Sequence, residues 1–405
     1  MATDREAVTD LVVVGGGLVG CSLALALAQL GRAPCLIEAA ARQQAPPPGF
    51  DERNLALARA SLDALARLGV LGRLARPPEP ITRIHVSRSG DLGAVQMRAA
   101  EHGVEAFGAV AMARDLGLAL QQTVAANPAI EVRDATRVTA IEAVDDGWRL
   151  QLLQAGAAQS LRCRLLVAAD GSDSPLRGWL GIDEHLHDYR QQLLVCSLQP
   201  SGAERGQAWE RFSAHGPVAL LPRNDGRWGA VCGVPGEQAS QLLEYDDETY
   251  ADYLQQRFGW RAGRLLRPGP RQAYPLLRRV AQRLIGARAV LIGNAAQTLH
   301  PVGAQGFNLG LRDALTLASA LRGVEDPGAP VLLEAYAAAR REDRARTLAF
   351  SHGLARLTAL ESAPAHLLRS LGLLALGASR RARAPLVHAA MGLTGMPAEW
   401  RGGAA

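Results

Sequence analysis

Two glycine-rich loops carry the residues of this chain best suited to hold a charged ligand. The first, Gly15-Gly16-Gly17-Leu18-Val19-Gly20, has a G-x-G-x-x-G pattern on Gly15, Gly17 and Gly20. The second runs from Gly293-Asn294 through Gln297-Thr298-Leu299-His300-Pro301 to Gly306-Phe307-Asn308-Leu309-Gly310. Each follows an apolar run that reads as a buried strand, Leu11 to Val14 and Ala289 to Ile292. Each opens into a segment with helical apolar spacing, Leu18 to Leu30 and Leu309 to Leu321. A strand handing over to a helix through such a loop leaves backbone N–H groups free at the helix N-terminus, where negative charge is stabilised.

The first loop has the further parts a dinucleotide needs. A second strand, Pro34-Cys35-Leu36-Ile37, ends on Glu38 and completes a strand–helix–strand unit. The glycines make the tight turn, admit the pyrophosphate and let helix pack on strand, while Glu38 accepts hydrogen bonds from the ribose hydroxyls. A carboxylate there repels a ribose phosphate, so NAD or FAD is expected rather than NADP.

These loops sit in a chain of 405 residues, 48% hydrophobic and 20% charged, which suffices for two joined domains. The first ten residues are polar, with no basic-then-apolar leader. No apolar run approaches the ~20 residues of a membrane-spanning helix, so a cytoplasmic location is expected. The five cysteines, Cys21, Cys35, Cys163, Cys196 and Cys232, are scattered without a close pair, which suggests neither a metal site nor a redox disulfide. Lysine is absent, and this excludes Schiff-base chemistry and the P-loop lysine. The net charge of +5 comes without a basic stripe or tail, so nothing points to nucleic acid.

A third loop lies between the other two. The run Leu165-Leu166-Val167-Ala168-Ala169 reads as a strand and ends on Asp170-Gly171-Ser172, with Arg177 close behind. Elsewhere the periodicity predicts helices over Arg59 to Leu68, Arg114 to Ala126 and Asp247 to Phe258. Strands dominate from Ile81 to Val110 and from Gly181 to Ala273. The tail beyond Leu348 reads as helix with breaks at Pro364 and Pro385. The fold class is α/β: a Rossmann-like dinucleotide-binding domain over 1–80, 111–180 and 274–347, an interleaved mixed β-sheet substrate domain over 81–110 and 181–273, and a helical region over 348–405.

The order of the three loops resembles the single-component FAD-dependent aromatic hydroxylases, the family of para-hydroxybenzoate hydroxylase, over nearly the whole chain. The run Gly293 to Pro301, with Glu210 to Pro217, Phe258-Gly259-Trp260 and Ala273 to Leu276, is similar to its ubiquinone-pathway branch. That resemblance implies bound FAD, NADH or NADPH as a transient reductant without a fold of its own, and a flavin hydroperoxide that hydroxylates a polyprenylated methoxyphenol. Gly15, Gly17 and Gly20 would hold the FAD pyrophosphate and Glu38 the ribose. Arg53 and Arg114 match positions that contact the cofactor, and Asp170 an acid serving both FAD and nicotinamide; a carboxylate capping its own turn is the other reading of Asp170. Gly293 and Asn294 would meet the ribityl chain, and the N–H groups from Gln305 through Gly306 to Asn308 the flavin pyrimidine. The family often has aspartate and histidine at Asn294 and Gln297, and the ubiquinone branch shows the variant found here.

By the same resemblance the carbonyl of Pro301 faces the ring. His300, next to the flavin loop, is the candidate for deprotonating the phenol, with a structural histidine as the other reading. Phe212 and His215 are candidates for the pocket wall. The apolar tail His366 to Leu376, followed by Arg380-Arg381-Ala382-Arg383, leaves two readings open: contact with an anionic membrane surface, or packing on the FAD domain or a partner subunit of a quinone-synthesis complex. Two rival functions share these features, a flavin-dependent prenyl reductase and a non-catalytic scaffold subunit.

Overall fold

A computed structural model describes residues 7–41 and 53–402; the expected proline-rich loop at 45–49 lies outside them. An eight-stranded sheet is built on a parallel centre. Strand Ala7–Val14 pairs in parallel with Cys35–Ile37 on one side and Ala157–Ala168 on the other, and Ala157–Ala168 pairs in parallel with Ala289–Leu291. These runs are apolar without alternation because both faces are covered. Helices Leu18–Gln29, Ala113–Ala125 and Gln305–Ala320 pack side by side, and strands Thr136–Val144 and Gly147–Gln154 bring Val138, Ile141, Leu150 and Leu152 to the same core. Leu11, Val12, Val13, Leu166, Val167 and Val290 are fully buried. Their register places Val14 opposite Ala168 and Ala168 opposite Leu291. The three loops therefore leave side by side from the carboxyl edge of adjacent parallel strands, where open α/β sheets bind ligands.

Helix Leu18–Gln29 packs against helix Gln305–Ala320 through small residues. A Cβ on Gly310 would come within 2.9 Å of Val19 Cγ2, so that contact needs glycine. The second helix begins at Gln305, four residues ahead of the apolar periodicity, because Ala304 turns the chain in the left-handed region before it. Gln305-Gly306-Phe307-Asn308 is helical without carrying an apolar stripe.

A nine-stranded sheet runs in the order Gln297–Thr298, Gln272–Ala281, Glu184–Pro200, Trp228–Pro235, Val218–Pro222, Gln207–Phe212, Arg83–Arg88, Val95–Arg98, with Leu265–Leu266 on the edge of Glu184–Pro200. The expected boundary at residue 274 thus falls inside a strand of this sheet. One face packs on helix Asp247–Phe258 through Leu194, Trp209, Leu220, Tyr250, Leu254 and Phe258. A short helix, Ala239–Glu244, escaped the sequence reading. A three-stranded sheet, Asn54–Ala58, Gly108–Met112 and Glu79–Ile81, completes the strands.

The helical tail differs from expectation at both prolines. Helix Pro330–Ala359 crosses residue 348 unbroken, and the chain turns at Leu360 to Ser362. Pro364 lies in the first turn of helix Ala363–Ala378, where its missing N–H has no partner to lose. Pro385 lies inside helix Arg380–Ala390 and does not end it; the break is at Ser379, whose hydroxyl caps Ala382 N–H.

Candidate active site

The three glycines of the first loop have different physical reasons. Gly15 adopts φ +109°, and a Cβ there would lie 2.3 Å from the carbonyl oxygen of Ala169. A Cβ on Gly20 would lie 1.9 Å from the carbonyl oxygen of Gly15. Both positions are backbone pressed on backbone. Gly17 is the opposite case: its Cβ would meet nothing within 4 Å, and it lines the main cavity. Glu38 is half-buried behind two lining residues, with Oε2 accepting the Gly16 N–H (2.6 Å) and Oε1 the Ala40 N–H (2.8 Å). Each oxygen keeps acceptor capacity for a ribose hydroxyl.

The cavity measures about 1380 Å³, more than the ~300–1,000 Å³ of one small-ligand site. It runs from Gly16 and Gly17 past Arg53, Arg114 and Asn294 to an apolar chamber beneath the nine-stranded sheet. Arg53 lies over the Tyr274 ring, 5.3 Å from its centroid, which fixes its guanidinium on the wall. Arg114 also reaches Asp115, at 3.4 Å. Asn294 is exposed on the wall, and Gly293 sits behind it, buried against Val19. Gln305, Gly306 and Phe307 line the cavity, and as the first turn of their helix they present free N–H groups.

Other expected site residues are placed elsewhere. His300 is buried and absent from the cavity wall. Its Nδ1 accepts the Val302 N–H (3.2 Å), and its ring packs edge-on against Tyr189 at 4.9 Å. Burial, then the neighbouring His352, lowers its pKa to about 4. A weak base whose lone pair is already taken does not deprotonate a phenol. Asn308 is buried too, and its side chain is a brace: Oδ1 accepts from Ala58 N–H (2.9 Å) and Ser61 Oγ (2.7 Å), while Nδ2 donates to the carbonyls of Ala56 (2.9 Å) and Ala304 (2.8 Å). None of its side-chain hydrogen-bonding groups is left for a ligand, whereas the resemblance gave the flavin its backbone N–H. Asp170 takes the bland reading. It accepts from Ser174 Oγ (2.6 Å) and Leu176 N–H (3.2 Å), capping helix Pro175–Trp179, and burial raises its pKa. Its neighbours Ala169 and Gly171 line the cavity instead.

Pro301 lines the cavity, with its carbonyl accepting Ala304 N–H at 2.8 Å. Phe212 lines the chamber, whereas His215 is exposed and away from it. Gln297 is buried and bridges Asp313 and Arg344 in a polar network behind the loop. Tyr274 and Glu210 were missed as wall residues. Glu210 had a signal in the sequence, since it alternates with Ala208 and Phe212 as a lone charge on an apolar strand face.

All five cysteines are buried thiols. Burial pushes Cys35, Cys163 and Cys196 up to about 12, which keeps them un-ionised and unreactive.

These residues fit a dinucleotide: an open glycine facing a cavity, a carboxylate at the ribose position and a second helix N-terminus farther along the same wall. Gly17→Val is expected to fold normally, because φ at this residue is −73° and the added atoms meet open space. The side chain would fill the ligand's volume, so FAD affinity should fall at least ~10-fold, equivalent to ~1.4 kcal/mol, with the melting temperature of the apoprotein unchanged. Titrating stripped protein with FAD checks this, and wild-type affinity would contradict the placement.

Comparison with known proteins identifies the dinucleotide as FAD. The FAD binding domain family matches residues 8–351. The ubiquinone hydroxylase UbiL of Rhodospirillum rubrum is 34% identical over 372 residues, covering 91% of this chain and 86% of the relative. The 3-demethoxyubiquinol 3-hydroxylase of Escherichia coli is 32% identical over 320 residues, covering 77% and 79%. Among solved structures, p-nitrophenol 4-monooxygenase PnpA from Pseudomonas putida shares the fold, with a TM-score of 0.77 at 19% identity over 96% of this chain and 99% of that one. The chain belongs to the FAD-dependent aromatic hydroxylase family, on its ubiquinone-pathway branch.

Proposed function

We propose that the protein hydroxylates the ring of a polyprenylated methoxyphenol in ubiquinone biosynthesis, with bound FAD, NADH or NADPH as reductant, and molecular oxygen. The observation that carries this reading is the continuity of the cavity from the glycine loop into the apolar chamber. FAD supplies the activation of oxygen and the transfer of one oxygen atom to the ring. The chain's own residues do the rest. Gly15 to Gly20 and Glu38 seat the dinucleotide, and the N–H groups of Gln305, Gly306 and Phe307 hold negative charge near its reactive end. Val86, Phe212, Leu221 and Leu376 keep water from the reacting ring. In this division of labour the eight-stranded sheet serves the cofactor and the nine-stranded sheet the phenol.

The tail fits a prenyl chain. Leu368, Leu373 and Leu376 line the cavity, and Leu367, Leu368, Leu371 and Leu374 on the same helix are exposed. With exposed Arg380 and Arg381 nearby, this surface suits an anionic membrane holding the substrate. Arg383 turns inward instead, donating to the carbonyls of Leu376 and Gly377. No helix of the described residues is long and apolar enough to cross a membrane. Surface contact and membership of a quinone-synthesis complex are parts of the proposal.

Profiling of quinone intermediates in a deletion strain tests the reading. Accumulation of the 2-polyprenyl-6-methoxyphenol is expected. A demethoxy intermediate would move the activity to the ring position named for the Escherichia coli relative. Purified protein should take up oxygen when given NAD(P)H and a prenylated phenol. Turnover without oxygen would favour a prenyl reductase, and a protein that refuses FAD a scaffold.

A further inference from the structure

His300 is committed elsewhere, so the phenol proton needs another acceptor. On strand Gln207–Phe212, Ala208, Glu210 and Phe212 alternate onto the face that lines the cavity. Glu210 lies in register between Val86 and Ala219, and Ala219 in turn pairs with Val231. All three neighbours line the same cavity, so the carboxyl stands in the middle of an apolar wall. It is half-buried, and its exposed surface opens on the cavity. Among the described residues no cation or hydrogen-bond donor accompanies it, and burial alone pushes its pKa up to about 7. Arg88, on the next strand of the same wall, is already held by Asp91, Glu361 and the Thr358 carbonyl. A carboxyl left alone among apolar groups is costly. Valine would pack that strand position better, so the group is suited to a partner that arrives in the cavity.

We propose that Glu210 is the acid–base residue for the phenol, accepting the hydrogen bond of its hydroxyl and then its proton. This rests on the hydroxylase reading above. The phenol O–H bond breaks, its electron pair stays on the phenol oxygen and enriches the ring, and the proton bonds to a Glu210 carboxylate oxygen. After hydroxylation, as the ring regains aromaticity with loss of its C–H proton to solvent, the carboxylic acid returns the held proton to that oxygen. The residue ends as it began.

The test is the pH profile of product formation from a short-chain prenyl-6-methoxyphenol, for FAD-loaded wild type, Glu210→Gln and Glu210→Leu. Wild type is expected to rise through pH about 7 and level off. In both variants product formation at neutral pH should fall by ~10²-fold, the scale of a lost general base. Their rise should move toward pH ~10, where a phenol ionises unaided. FAD content should stay at the wild-type level, and the oxygen consumed should appear as hydrogen peroxide. Leucine suits the apolar wall, so that variant guards against a folding defect in the other. Variants with the wild-type profile overturn the assignment alone. A wild type that leaves the phenol untouched overturns the substrate reading and the assignment with it.

Discussion

Replacing Arg340 with methionine is expected to destabilise the protein by about 3–5 kcal/mol, the cost of stripping one partner from a buried ion pair. Arg340 is 1% exposed in the middle of helix Pro330–Ala359. Its Nε donates to Asp313 Oδ1 (2.7 Å), its Nη2 to Asp343 Oδ2 (2.6 Å) and its Nη1 to the Gly395 carbonyl (3.2 Å). Asp343 keeps a second cation, Arg312 at 2.8 Å. Among the described residues, fully buried Asp313 keeps the neutral Gln297 amide as its hydrogen-bond donor at 2.5 Å, with the Arg344 charge acting on it without a hydrogen bond. Methionine would thus leave a carboxylate in the core without its hydrogen-bonded cation. Since Gln297 belongs to the second glycine loop, FAD retention should fall together with stability. Urea denaturation of the wild type and variant checks the magnitude, and a loss below ~1 kcal/mol would contradict a buried, coupled network. Adding Asp313→Asn should recover part of the loss by removing the stranded charge.

The pH dependence of the same variant has a definite sign. Burial raises the Asp343 pKa, but the guanidinium groups of Arg312 and Arg340 outweigh it and hold the carboxyl below its usual range. A depressed carboxyl contributes stability at neutral pH that is lost as pH falls through the folded-state value. Arg340→Met weakens that contribution, so the stability gap to wild type should narrow on acidification.

Gly20→Ala is expected to have the largest effect on the cofactor. One methyl group at 1.9 Å from the Gly15 carbonyl oxygen cannot be accommodated by a rotamer change, because both atoms belong to the backbone framework of strand and helix. Overpacking of this kind costs ~1–3 kcal/mol or more. Here it would also push the helix N-terminus away from the pyrophosphate. The purified variant should be colourless and melt early, whereas Gly17→Val should be colourless with an apoprotein that melts normally. If both variants melt alike, the distinct roles assigned to the two glycines are wrong.

The parts legible in the sequence were those set by local physics. An apolar run, a G-x-G-x-x-G turn and Glu38 all lie within one strand–helix–strand unit, so their geometry is decided by near neighbours. Arg53 and Asn294 were placed by resemblance, and both line the cavity. The residues whose side chains act as braces or packing are governed by partners far along the chain. Asn308 is committed to Ser61, His300 packs on Tyr189, and Gln297 answers to Arg344. No window of sequence around them contains those partners. Asp170 was the intermediate case, since its capping partners Ser174 and Leu176 are local and the turn reading was available. The two prolines of the tail make the same distinction at the level of the backbone. Pro364 has a position in the first turn that any helix tolerates, while Pro385 is carried by a helix whose Arg383 and Val387 are buried.

The short strand Gln297–Thr298 has a mechanical consequence. It pairs with Arg279 and Val280 of the nine-stranded sheet, while the same loop begins four residues earlier at the end of the eight-stranded sheet. The first part of the loop, Gly293 to Thr298, is therefore clamped at both ends before any ligand arrives, and binding need not order it. Little conformational entropy is spent there when the cofactor docks. The same clamp means that the two sheets cannot swing apart as hinged halves without tearing this strand from its neighbour.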